Sequence, residues 1–192
     1  MPKRRPRKVV PKRDHWERLR KTLEKRTKGE LIDALVECAK EDRKVLRQLD
    51  ERFELESSAQ ELAALTRQAI ADATDFDERD SNRNFSYDYA AYSAVRRHFS
   101  RLIGMGELRL AMQLSLELMG EGSCQVECSD EGLMTEDIEE CLRVALKALK
   151  KSDLSPEEGV AWCKEMHQRD RVQFICEREL QELQQHFQAL RP

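Results

Sequence analysis

The 192-residue chain carries 34 Lys/Arg against 37 Asp/Glu, a formal net charge of -3, with 40% hydrophobic residues. That length suffices for one domain with a sizeable core. No apolar run approaches the ~18–20 residues of a membrane span and no apolar signal core follows the N-terminal charges, so no membrane partner and a soluble, cytoplasmic protein are expected.

The net value conceals an uneven distribution. Residues Met1 to Lys28 hold 13 Lys/Arg and 3 Asp/Glu, a local excess of +10, and the remainder is at -13. The first thirteen residues combine Pro2, Pro6 and Pro11 with Lys3, Arg4, Arg5, Arg7, Lys8, Lys12 and Arg13. This composition predicts a disordered basic arm over 1–13, ahead of a single helical domain over 14–192. The arm suits phosphate backbones or an acidic protein surface. It has no aromatic residue to stack on bases, so any nucleic-acid contact would be nonspecific.

No proline lies between Lys12 and Ser155, which leaves that stretch free to be helical. Helix starts are marked by a cap residue followed three positions later by Glu: Asp14 with Glu17, Thr27 with Glu30, Ser58 with Glu61, and Ser155 with Glu158. Pro156 adds a preferred first-turn residue to the last of these. Trp16, Leu19 and Leu23 share a face of the first helix, and Leu31, Leu35 and Cys38 one of the second. Val45, Leu46, Leu49 and Phe53 mark the third, and Leu62, Leu65, Ala69 and Ile70 the fourth. An acidic loop over 75–84 follows.

The centre of the chain reads as an αα-hairpin from Ser86 to Met119, turning at Ile103-Gly104-Met105-Gly106, with both glycines in left-handed conformation. Tyr89, Tyr92, Val95, Phe99, Leu102 and Ile103 recur at helical spacing before the turn, and Leu110, Ala111, Leu114 and Leu118 after it. A loop from Gly120 to Gly132 then precedes a helix over about 135–151, and two closing helices begin near Ser155 and Arg169. Val172, Ile175, Cys176, Leu180, Leu183 and Phe187 form the last stripe. The fold class is therefore all-α: stacked antiparallel helix hairpins, as a tetratricopeptide- or HEAT-like solenoid or an irregular bundle, with a basic N-terminal arm.

The segment Asn84-Phe85-Ser86-Tyr87-Asp88-Tyr89-Ala90, the hairpin with Gly104 and Gly106, and the run Val126-Glu127-Cys128-Ser129-Asp130-Glu131-Gly132 together resemble the helical-repeat region that follows the zinc finger in bacterial SWIM zinc-finger proteins and in related uncharacterised bacterial helical proteins. The resemblance covers roughly residues 42–187. The finger's Cys-x-Cys and Cys-x-His pairs occur nowhere in this sequence, so the resemblance implies fold rather than zinc or DNA binding.

Six cysteines spread along a chain of this size read as reduced, buried thiols. Cys124 and Cys128 with Cys163 and His167 have spacings a tetrahedral zinc could use, yet the pairs lack the tight Cys-x-x-Cys knuckle, and no metal is expected. The acidic loop with Asp75, Asp77, Glu78 and Asp80 lacks the glycine and closing glutamate of a calcium loop. The four histidines sit beside no nucleophile and acid that would orient them, and there is no glycine-rich phosphate loop. No enzyme, cofactor or small-molecule substrate is expected. The sequence predicts a protein-interaction module or scaffold in which Tyr87, Arg96 and Arg97 border a partner groove, with Tyr89 and Tyr92 nearby. The alternative is a nucleic-acid-associated accessory protein held through the basic arm.

Overall fold

A computed structural model describes residues 12–53, 55–77, 79–84 and 86–190, with side chains from residue 15 onward, residue 80 apart. Among the described residues there are nine α-helices and no strand: α1 (Lys12–Leu23), α2 (Lys28–Glu41), α3 (Arg43–Phe53), α4 (Ala59–Thr74), α5 (Tyr89–Gly104), α6 (Leu108–Cys128), α7 (Thr135–Leu149), α8 (Pro156–Arg169) and α9 (Glu177–Ala189). A single π-helical turn, Arg79–Arg83, stands between α4 and α5. No described helix is long and apolar enough to cross a membrane. The contacts group the chain into two compact units, one ending at Phe53 and one beginning at residue 54.

In the N-terminal unit α2 packs on α3. Leu31 and Ala39 of α2 and Val45, Leu46 and Leu49 of α3 are half-buried. The other large apolar side chains stay outside: Trp16, Leu19 and Leu23 on α1, Ile32, Leu35 and Val36 on α2, and Phe53 on α3 are all exposed. The first helix begins at Lys12, two residues before the expected cap Asp14. Lys and Arg are good helix formers, and proline is tolerated just ahead of them, so the helix extends back into the end of the basic arm.

Capping chemistry fixes the next starts. The Thr27 hydroxyl accepts from the Glu30 N–H at 3.2 Å while the Glu30 carboxylate accepts from the Thr27 N–H at 2.8 Å, and Ser58 with Glu61 repeats the pair at 3.3 and 2.8 Å. Hydrogen bonds from these cap residues hold both glutamate carboxyls below their ordinary 4.5. At α8 only half of the box forms. The Ser155 hydroxyl accepts from the Glu158 N–H at 3.2 Å, but the Glu158 carboxylate turns to Arg109 of α6, at 2.9 and 3.0 Å.

The C-terminal unit holds the core. Within it α4 packs on α5, α6 on α7 and α8 on α9, and each helix also packs on the one two places further along: α4 on α6, α5 on α7, α6 on α8 and α7 on α9. Tyr92, Phe99, Leu114, Leu118, Ile138, Leu142 and Phe187 are fully buried between them. The turn after α5 is closed by the Glu107 N–H on the Leu102 carbonyl at 2.9 Å and the Gly106 N–H on the Ile103 carbonyl at 3.0 Å. Gly106 takes the required left-handed conformation at φ 83°, whereas Gly104 remains the last helical residue.

Two further boundaries differ from expectation. No loop spans Gly120 to Gly132, because α6 runs unbroken through Gly120 and Gly122 to Cys128. A Cβ at Gly122 would meet the Ile138 side chain of α7 at 3.0 Å, so the glycine lets α6 and α7 approach closely, and tertiary packing overrides its poor helix propensity. The last helix begins at Glu177 rather than Arg169. Between α8 and α9 the buried Asp170 carboxylate accepts from the Val172 N–H at 3.1 Å and the Ile175 N–H at 2.9 Å, and Gln173 and Cys176 adopt left-handed backbone at φ 62° and 51°. These bonds hold residues 170–176 in a tight turn instead of a helical one.

Candidate functional site

Tyr87, Arg96 and Arg97, the predicted groove residues, lie just ahead of and along α5, and two of them are drawn onto α7. The Tyr87 hydroxyl donates to Asp137 Oδ2 at 2.5 Å, and its ring meets Tyr92 edge-on with centroids 6.1 Å apart. Burial first, and the Asp137 carboxylate second, push its phenol well above the ordinary value. Arg96 pairs with Glu140, one turn beyond Asp137. Both side chains therefore latch α5 to α7. Arg97 is half-buried, Tyr92 is buried and Tyr89 is 58% exposed.

The arm residues Lys3, Arg4, Arg5, Arg7 and Lys8 lie outside the described residues, while Lys12 and Arg13 open α1. Cys124 and Cys128 stand one turn apart at the end of α6, not in a loop. Partial desolvation, and then Cys124, raise the Cys128 thiol above its ordinary range. Cys163 is fully buried in α8, and His167 is half-buried one turn later. The two pairs do not converge, and no group of three or more metal-ligating side chains occurs among the described residues. Glu78 and the Asp80 side chain of the acidic loop fall outside them. Asp77, just ahead of the π turn, accepts the Ser81 N–H through its carbonyl at 2.8 Å.

An open recess of the C-terminal unit lies elsewhere, between α4 and α6, where Arg169 at the end of α8 closes one side. It is an open cleft of about 560 Å³, with Arg67, Asp75, Phe76, Gly120, Glu121 and Arg169 on its lining. Helical spacing from α4 brings Arg67, Ile70, Ala71 and Thr74 to it, and α6 contributes Glu117, Gly120 and Glu121. The Arg67 Nε donates to both Glu117 carboxylate oxygens at 3.1 and 3.0 Å, a link between the two helices. The Arg169 guanidinium donates to Glu165 at 2.8 Å and to the Leu116 carbonyl at 3.4 Å, which directs it toward the middle of α6. A Cβ at Gly120 would meet nothing within 4 Å, so the missing side chain there opens the cleft rather than accommodating a neighbour.

Two guanidinium groups and three carboxylates thus border a recess with Ile70, Ala71 and Phe76 as its apolar part. Such a lining can bind a chain that offers both charge signs and a small apolar side chain. No histidine or cysteine among the described residues lines it. A smaller groove of about 220 Å³ runs between α7 and α9, with Arg143, Lys147 and Lys150 on one wall and Glu179 and Glu182 on the other. Sequence reasoning missed Arg67, Glu117, Gly120 and Arg169. No sequence signal marks them, because Gly120 reads there as the start of a loop, and its helical, open setting exists only in the folded chain. No protein-family model, curated protein or solved structure matches the chain.

Proposed function

We propose that this chain is a non-catalytic protein-interaction module, built as a short stack of helix hairpins, whose α4/α6 cleft receives a segment of another protein. The pairing of α4 with α5, α6 with α7 and α8 with α9, together with contacts from each helix to the one two places on, supports a solenoid of three hairpins. The resemblance to the helical region of SWIM zinc-finger proteins agrees with that reading. The observation that carries the function is the cleft itself, open at Gly120 and edged by Arg67–Glu117 and Arg169.

Gly120→Leu tests it, because a side chain at this position enters open space and improves helix propensity, leaving the fold intact. Proteins retained by the wild-type chain from native lysate, after nuclease treatment, are compared with those retained by the variant. Loss of a discrete partner supports the cleft as its site, and unchanged retention of every partner overturns it.

A second reading is favoured by the basic character of α1, on which Arg18, Arg20 and Lys21 continue the positive charge of the arm. Here the N-terminal segment tethers the protein nonspecifically to nucleic acid. Deleting residues 1–13 should then lower duplex affinity and flatten its salt dependence. Equal binding by the truncated chain excludes the arm as the cause.

A further inference from the structure

Helix α1 leaves its apolar face uncovered. It has twelve residues, its Trp16 is 65% exposed, and Leu19 and Leu23 are exposed beside it. Helices of that length are marginal in water, and most of their stability in proteins comes from packing an amphipathic face. Helix α2 presents the same problem, with Ile32, Leu35 and Val36 along its outer side.

The two faces are complementary. They belong to helices of similar length, twelve and fourteen residues, and their charges are opposite. Over Lys12–Leu23 there are five Lys/Arg and two Asp/Glu, whereas over Lys28–Glu41 there are two Lys and four Asp/Glu. The charges also stand beside the apolar rows. Arg20 is one turn beyond Trp16 on α1, and Asp33 is one turn before Val36 on α2.

We infer that the N-terminal unit is a self-association module, in which α1 of one copy packs its Trp16–Leu19–Leu23 stripe on the Ile32–Leu35–Val36 row of α2 in a second copy. In a two-fold arrangement the exchange is reciprocal, so one symmetric contact covers both stripes on both chains and sets the basic helix against the acidic one. A heterologous partner would have to supply both a basic and an acidic amphipathic surface, which this chain already carries. The surface is separate from the α4/α6 cleft.

Sedimentation velocity of the full chain across the micromolar range tests this. The expected result is a species of twice the 22.5 kDa chain mass that dissociates on dilution. Leu19→Asp and Ile32→Asp, both at exposed positions, each return it to monomer with an unchanged far-UV spectrum. Arg20→Glu weakens the dimer, and adding Asp33→Lys to that variant restores it. A wild-type chain that is monomeric throughout overturns the proposal, whether Trp16 emission is that of an exposed or a covered indole. The covered case would mean that α1 has closed onto its own chain. A dimer indifferent to Leu19→Asp and Ile32→Asp overturns it as well, by placing self-association on another surface. Gly120→Leu leaves the dimer unchanged, which separates this outcome from that of the cleft.

Discussion

Tyr92 and Gln125 meet in the buried space between α5 and α6, where the tyrosine hydroxyl donates to the glutamine Oε1 at 2.5 Å. The glutamine amide in turn donates to the Ala73 carbonyl at 3.0 Å, in the last turn of α4, where a helix leaves its carbonyls without intrahelical partners. One side-chain pair thus satisfies an end of one helix and joins three. Tyr92 is 1% and Gln125 2% exposed, so neither can turn to water if the other is lost.

Tyr92→Phe is expected to destabilise the fold by ~1–3 kcal/mol, because it strips a buried acceptor of its donor while keeping the ring. Urea unfolding provides the measurement. In a double-mutant cycle with Gln125→Leu the two losses should be less than additive, since the glutamine no longer needs the phenol. Strict additivity would show that the pair is not coupled.

Glycines in this chain separate into opposite classes. A Cβ at Gly159 would fall 2.5 Å from Phe187 Cγ, against a ring that is fully buried. Gly159→Ala should therefore cost ~1–3 kcal/mol through overpacking despite the better helix former. Gly120→Ala, which meets nothing within 4 Å, should gain up to ~1 kcal/mol. Thermal midpoints that shift in the same direction for both variants would contradict this assignment.

The buried thiols set an alkaline limit. Burial pushes Cys141, Cys163 and Cys176 from the ordinary 9.0 up to about 12, and it raises the phenols of Tyr87 and Tyr92 above their usual 10.0. The folded chain therefore keeps protons that the unfolded chain releases. Their contribution is fully present below pH 9 and is lost as pH rises toward 12, at ~1.4 kcal/mol per pH unit for each thiol ionised only in the unfolded state. Urea midpoints taken from about pH 8 to about pH 11 should fall progressively. A level profile would argue against burial of these thiols.

Local rules were sufficient where the chain's own neighbours decide the outcome. Thr27 with Glu30 and Ser58 with Glu61 form the capping boxes expected of them, and Gly106 turns the chain between α5 and α6. They failed where a distant residue decides. Gly122 is helical because Ile138 of α7 packs against it, and Glu158 leaves its capping partner for Arg109, forty-nine residues away. Tyr87 and Arg96 are taken up by Asp137 and Glu140, whose spacing on α7 has meaning only once the helices are docked. The cleft was hidden for the same reason. Its walls come from α4, α6 and the end of α8, and no window of sequence contains them.

Asp170 illustrates a signal that only the folded chain explains, and its removal gives a graded test. Its carboxylate, 6% exposed, is the acceptor for the Val172 and Ile175 N–H groups that turn the chain into α9, and the next residue, Cys176, sits in left-handed backbone immediately before that helix. Asp170→Ala leaves the two amides without this acceptor and should cost ~2–4 kcal/mol, about 1–3 for each unsatisfied donor with partial recovery by water. Asp170→Asn keeps one carbonyl oxygen and should lose roughly half as much. Hydrogen exchange separates local from global effects. The Val172 and Ile175 amides should lose protection in Asp170→Ala by more than the Tyr92 amide does, because the turn opens while the α5–α6 core persists. Uniform loss across both sites would instead mean that residues 170–176 unfold only with the whole unit.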